Sequence, residues 1–189
     1  PLALLGDFAL CLLFILPHSM FARGFGRRWL NMPFGPCGER PLYVFMSGVS
    51  LLLLSWAWQS SGPVLWAAEG VAAILMRTVQ VAGLVLAVWA AFVVGATSML
   101  GLPHLRALAG GRSDPSAELI ALPPYSRIRQ PLNLGILMAL IAMPEVTLDR
   151  LLLGIVFAVW ILLVAPFEER DAEMEFGELI HTVTVQAGL

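Results

Sequence analysis

Two arginines and two glutamates stand where this chain meets the edge of an apolar layer, and their spacing can bring them together. Arg127 and Arg129 lie in Tyr-Ser-Arg-Ile-Arg-Gln-Pro, directly before an apolar stretch at 132–143. Glu168 and Glu169 follow a second apolar stretch, 151–167, in Pro-Phe-Glu-Glu-Arg-Asp. If the two stretches form a helical hairpin, the carboxylates return to the arginines at one face. Guanidinium and carboxylate groups gathered at a partly dry interface are the layout of a site. They can equally be a structural ion pair that locks a helix orientation and holds the tail against the membrane.

Asp7 and His18 are the next polar groups in unusual places. Asp7 sits inside the apolar run 2–17, 11 residues before His18. That distance is about 16 Å at helical rise, which puts the carboxyl near the middle of an apolar layer ~30 Å thick. An acid at that depth is expected to face the protein interior and be protonated or hydrogen-bonded. It reads as a substrate or proton site, or as a packing contact to a hydroxyl such as Ser50 on the next helix. His18 reads as a hydrogen-bonding cap at the interface. Cys11 and Cys37 offer neither a metal-ligand spacing nor a disulfide framework, and are read as unpaired thiols.

The elements that position these groups must be membrane helices. The chain is 59% hydrophobic and 13% charged with positive mean hydropathy, whereas soluble domains carry roughly twice that charge. All 11 basic residues are arginine and the net charge is -2, which excludes nucleic acid as a partner and leaves membrane lipids. Five hydrophobic segments follow in order. The run 2–17 reads as a helix whose beginning is missing rather than as a signal peptide. The span 42–58 ends in Trp56 and Trp58, with Trp66 just beyond, as amphipathic rings collect at an interface. Its Ser47, Gly48 and Ser50 form a small-residue patch that allows close helix approach.

A plain loop at 60–70 leads to the third span, within 71–100, where Arg77 reads as an arginine snorkelling to the headgroups. The fourth stretch, 132–143, is 12 residues, about 18 Å as a helix and short of a full crossing. Pro131 suits its first position, and Pro144 ends or kinks it. Residues 145–148 form a turn with Thr147 as cap, and Pro166 bends the last span into an acidic helix. The sequence therefore predicts an all-α integral membrane protein with about five transmembrane helices, the last two a hairpin, in a single membrane-embedded domain over 1–189.

Arg129-Gln130-Pro131-Leu132-Asn133-Leu134-Gly135 followed by Glu168-Glu169 resembles the R-H-P-x-Y-x-G and E-E motifs of the isoprenylcysteine-methyltransferase-like membrane enzymes, in their NnrU and methanethiol S-methyltransferase branch. The histidine and tyrosine of that motif are here Gln130 and Asn133. His18, Ser19, Ala22 and Arg23 match the family's H-S-x-x-A-R, and Glu39, Arg40 and Tyr43 its E-R-x-x-Y. The resemblance implies a cofactor site for S-adenosylmethionine at Arg129, Gln130, Asn133, Gly135, Glu168 and Glu169. Arg129 would hold the cofactor's carboxylate, Glu168 or Glu169 would receive its amino group, and Gly135 would allow close backbone approach. It also implies a weaker haem-binding reading through His18.

Because Gln130 cannot change charge and Asn133 has no aromatic face, the leading expectation is a catalytically degenerate relative with no cofactor. It would serve as an accessory subunit of a larger membrane complex, respiratory or photosynthetic. The alternative is an active S-adenosylmethionine-dependent S-methyltransferase acting on a small thiol or membrane-soluble substrate. Nine of the 11 arginines fall in 18–40, 101–130 and the tail, so the positive-inside rule predicts an external N-terminus and a cytoplasmic C-terminus in a bacterial inner membrane.

Overall fold

The computed structural model describes residues 2–22, 26, 35–60, 62–110 and 123–187, with side chains followed as far as Arg170. In chain order the elements are α1 (Leu2–Phe21), α2 (Pro36–Ala57), β1 (Val64–Ala67), α3 (Gly70–Val94), α4 (Ala96–Met99), α5 (Leu102–Ala109), α6 (Pro131–Ile141), β2 (Glu145–Thr147) and α7 (Leu148–Ala187). Four helical stretches are long and apolar enough to cross a membrane: Leu2–Phe21, Cys37–Ala57, Gly70–Val94 and Leu148–Arg170. Pro131–Ile141 is a shorter apolar helix. The five expected segments are thus all helical, and the fold is an all-α membrane protein. The fourth segment, 11 residues long, is about 17 Å of helix and does not cross alone.

The helices are organised as two packed groups joined through α7. In one, α1 lies against α2 and α7, with Cys11, Phe14 and Ile15 of α1 meeting Leu54 of α2 and Phe157 of α7 in a small buried cluster. In the other, α6 lies along α3. Here two glycines set the separation. A Cβ at Gly135 would lie 2.5 Å from the Gly83 carbonyl oxygen and 2.7 Å from the Ala87 nitrogen, so the two backbones touch. Small residues at such crossings are how membrane helices gain packing without a hydrophobic driving force. Gln80 of α3 adds a hydrogen bond from Nε2 to the Ala139 carbonyl of α6, 3.1 Å. Much of the remaining helical surface is exposed and apolar, as at Leu52, Trp56 and Phe92, which suits contact with lipid tails.

Two connections depart from the sequence reading. The expected loop before α3 and the turn before α7 contain strands that pair antiparallel, Val64 with Thr147, Trp66 with Val146 and Ala67 with Glu145. The residues concerned are mostly β-branched or aromatic, and side-by-side pairing at the end of the bundle satisfies backbone groups that a bare loop would leave to solvent. Thr147 therefore belongs to a strand. The last span and the acidic segment expected after Pro166 form one helix, α7, which runs through that proline for 40 residues.

The opposite end of the bundle closes differently. Gly101, at φ 70°, precedes α5, and a Cβ there would come within 3.1 Å of the Pro41 nitrogen. A glycine meets both demands, the left-handed conformation and the close approach of α5 to the start of α2.

Candidate active site

α6 starts at Pro131, where a missing N–H costs nothing because the first helical donors have no partner within the helix. The residues just before and just inside that start face the stretch of α7 that follows Ala165. Gln130 Nε2 donates to the Ala165 carbonyl at 3.0 Å. Asn133 Nδ2 donates to Gln130 Oε1 at 2.9 Å and to Glu168 Oε2 at 3.1 Å. Arg129 Nη1 stands 3.8 Å from Glu169 Oε2, with the arginine side chain 84% exposed and the glutamate 40%. That is a charge contact beyond hydrogen-bonding distance, of small worth in water.

Five of the six residues expected in a cofactor site are therefore brought together: Arg129, Gln130, Asn133, Glu168 and Glu169. Gly135 lies deeper, buried against α3, where the close backbone approach it permits is to Gly83. Arg127 is exposed in the turn that precedes α6. In the same turn burial pushes the half-buried Tyr125 hydroxyl above the usual tyrosine range, so it stays neutral at physiological pH.

A second polar group lies deeper in the bundle, between α1, α2 and α7. His18 Nδ1 is 3.1 Å from Ser47 Oγ, and its Nε2 is 3.0 Å from the Tyr43 hydroxyl. The Phe14 ring stacks on the imidazole with centroids 5.1 Å apart, and Trp160 meets it edge-on at 5.4 Å. Trp160 Nε1 in turn donates to Ser19 Oγ at 2.7 Å. His18 and Tyr43 are visible as motif residues and Ser47 as part of a small-residue patch, whereas Trp160 stands unmarked within the apolar stretch 151–167. An indole in such a run gives no sign in the sequence of whether it faces lipid or a neighbouring helix.

Asp7 lies at the other end. It is fully buried, and its Oδ1 accepts from the Gln59 backbone N–H at 2.9 Å; among the described residues its Oδ2 has no hydrogen-bond partner. The expected partner Ser50 instead donates to the Ser47 carbonyl, 3.0 Å. Asp7 thus ties α1 to the residues just past the end of α2. Nearby Trp58 Nε1 donates to Asp149 Oδ2 at the start of α7, 3.2 Å, so this end is a structural clamp.

No family model matches the chain, and no solved structure does. Curated relatives do. The chain is 32% identical, over 93% of its own length and 68% of the relative's, to methanethiol S-methyltransferase 2 of Bradyrhizobium diazoefficiens. It is 33% identical to the methanethiol S-methyltransferase of Mycobacterium tuberculosis, over 94% of this chain and 70% of that one. Nurim of Rattus norvegicus is 28% identical over 87% of the chain and 66% of its own length.

Proposed function

The chain belongs to the methanethiol S-methyltransferase family, and on that premise we propose that it is a membrane methyltransferase passing a methyl group from S-adenosylmethionine to a small thiol. The observation that carries this reading is the convergence of Arg129, Asn133, Glu168 and Glu169 from two segments 35 residues apart. The Arg129 guanidinium is turned to solvent, so its planar fork of donors suits the carboxylate of an amino-acid group. Glu169, half-exposed beside it, suits the ammonium. The residues present fit the polar end of the cofactor. Bound there, S-adenosylmethionine supplies an electrophilic methyl group for in-line displacement by a thiolate. The Gln130–Asn133–Glu168 chain of hydrogen bonds fixes the start of α6 against α7, and so sets the distance between cation and carboxylates. The apolar helix surfaces around it admit a small thiol from the lipid.

The sequence favoured a degenerate subunit, and one observation keeps that as a second reading. The amides of Gln130 and Asn133, which replace the motif's histidine and tyrosine, are engaged in holding the hairpin. In that reading the chain is an accessory component of a membrane complex. In both, the arginine-rich end faces the cytoplasm of a bacterial inner membrane.

Calorimetry on the detergent-purified protein, with a methyl-transfer assay on methanethiol, separates the two. Saturable binding and turnover are expected. Arg129→Ala should weaken binding roughly 10- to 150-fold, the effect of losing a charged hydrogen-bonding partner. Absence of binding at millimolar ligand, with stoichiometric co-purification of other membrane subunits, would establish the second reading instead.

A further inference from the structure

Transfer to a thiol requires that the thiol lose its proton; neither Arg129 nor the Gln130–Asn133 pair can accept one, and the carboxylates of Glu168 and Glu169 are turned to Asn133 and Arg129. We infer that His18 is the base. This rests on the methyltransferase reading and adds a residue, outside the Arg129–Glu169 site, that acts on the acceptor rather than on the methyl donor.

Three features of the structure carry it. The Ser47 hydroxyl stands 3.1 Å from Nδ1, and the Tyr43 hydroxyl lies 3.2 Å from Nδ1 and 3.0 Å from Nε2, within reach of either nitrogen. A hydroxyl donates or accepts as required, so the neutral ring in either tautomer and the imidazolium all find partners. A histidine held by two fixed donors, or by a carbonyl and a donor, would be locked into one state; this one can take up a proton without stranding a buried polar atom. Second, the Phe14 face stacks on the ring, which favours a transient cation, and Phe14 with Trp160, which meets the ring in a T-shaped contact, offers an apolar thiol a surface to rest on. Among the described residues, the groups that face the ring from its neighbouring helices are Phe14, Tyr43, Ser47 and Trp160. Tyr43 is the one of them that titrates.

Third, α7 connects the two groups. Trp160 and Glu168 are separated by about two turns, roughly 12 Å along the helix, and by about 80° around it. The histidine cluster thus lies about two turns deeper in the bundle than the Arg129–Glu169 pair, along a neighbouring face of the same helix.

In the step, the S–H bond breaks and its proton passes to Nε2, the Tyr43 hydroxyl ceding that nitrogen, while the electron pair stays on sulfur. The thiolate forms a bond to the methyl carbon as that carbon's bond to the sulfonium sulfur breaks, its electron pair going to the departing sulfur. The imidazolium then returns its proton to water.

The experiment compares wild type with His18→Gln on two acceptors, an alkyl thiol protonated at neutral pH and an aromatic thiol already ionised there. His18→Gln should slow kcat/KM for the alkyl thiol by roughly 100- to 10,000-fold, the range for a lost general base, and leave the aromatic thiol nearly unaffected. Unchanged S-adenosylmethionine affinity certifies the fold of the variant. If that variant does not fold, Tyr43→Phe replaces it, and the pH at which the alkyl-thiol rate is half-maximal should move. Equal losses on both acceptors, or an unmoved pH profile in Tyr43→Phe, would leave the methyltransferase standing and overturn His18 as its base. A wild-type protein that methylates neither thiol would overturn both.

Discussion

A single buried carboxylate shows how far residue-level chemistry carries. Asp7 was recognisable as an acid inside a membrane helix, which by itself demands an interior partner. Its depth was misjudged because it was counted from His18 as though that residue marked the interface. In the structure His18 is inside the bundle, meeting Ser47 of the antiparallel α2. Eleven residues back along α1 then corresponds to about as many forward along α2, the level of Gln59 rather than Ser50. The prediction changes accordingly. Asp7→Asn keeps an oxygen to accept from the Gln59 N–H and should be tolerated. Asp7→Leu strands that donor and should lower stability by roughly 1 to 2 kcal/mol. Denaturant unfolding in detergent measures the difference, and equal stability of the Leu variant would remove Asp7 from the clamp. Ser50→Ala, whose hydroxyl only returns to its own helix, should have little effect.

At the scale of elements, the helices were legible because each is an apolar run bounded by proline, glycine or charge, and no other backbone form satisfies its own polar groups in lipid. The hairpin that brings Arg129 to Glu169 followed from the same signals. The β1–β2 ribbon was not legible. Its strands are four and three residues long, too short for alternation to register, and each finds its partner 78 to 83 residues away. Helix partners were equally hidden, since an apolar run does not say which face meets protein. Gly135 illustrates this: the motif suggested a backbone opening for a ligand, and the space is taken by Gly83.

That contact gives a second prediction. In Gly135→Ala the new methyl would collide with the Gly83 carbonyl and the Ala87 nitrogen, both backbone atoms that cannot rotate away. Separating α3 from α6 should cost about 1 to 3 kcal/mol and displace the start of α6, weakening cofactor binding as well. Gly154→Ala is the control, because its Cβ would meet the Leu140 oxygen at an ordinary 3.7 Å. A lower melting temperature in the first variant and an unchanged one in the second is the expected pair. Equal melting temperatures would mean that the two helices are not pressed together at this crossing.

The whole molecule has two unlike ends, and their difference bears on how it sits in the bilayer. One end holds Asp7 with Gln59, Trp58 with Asp149, and the ribbon. The other gathers Gly101 with Pro41 and Asn133 with Glu168, with the His18–Tyr43 and Trp160–Ser19 contacts deeper in the bundle. Among the described residues, Arg40, Arg106, Arg127, Arg129 and Arg170 stand toward this second end, and Arg77 and Arg150 toward the first. In the proposed orientation, with arginine retained on the cytoplasmic side, the Arg129–Glu169 cluster would face inward, where a water-soluble methyl donor would reach Arg129 while a small thiol arrives through the apolar phase. Ser60 and Ser126, both exposed and on opposite ends, report the orientation directly. With Cys37 replaced by serine and Cys11 left in place because it is fully buried, single cysteines at these positions can be treated with a membrane-impermeant maleimide on intact cells. Ser60→Cys should label from outside, and Ser126→Cys only after the membrane is opened. Labelling of Ser126→Cys in intact cells would invert the protein, place Arg129 and His18 away from the cytoplasm, and separate the proposed site from its methyl donor.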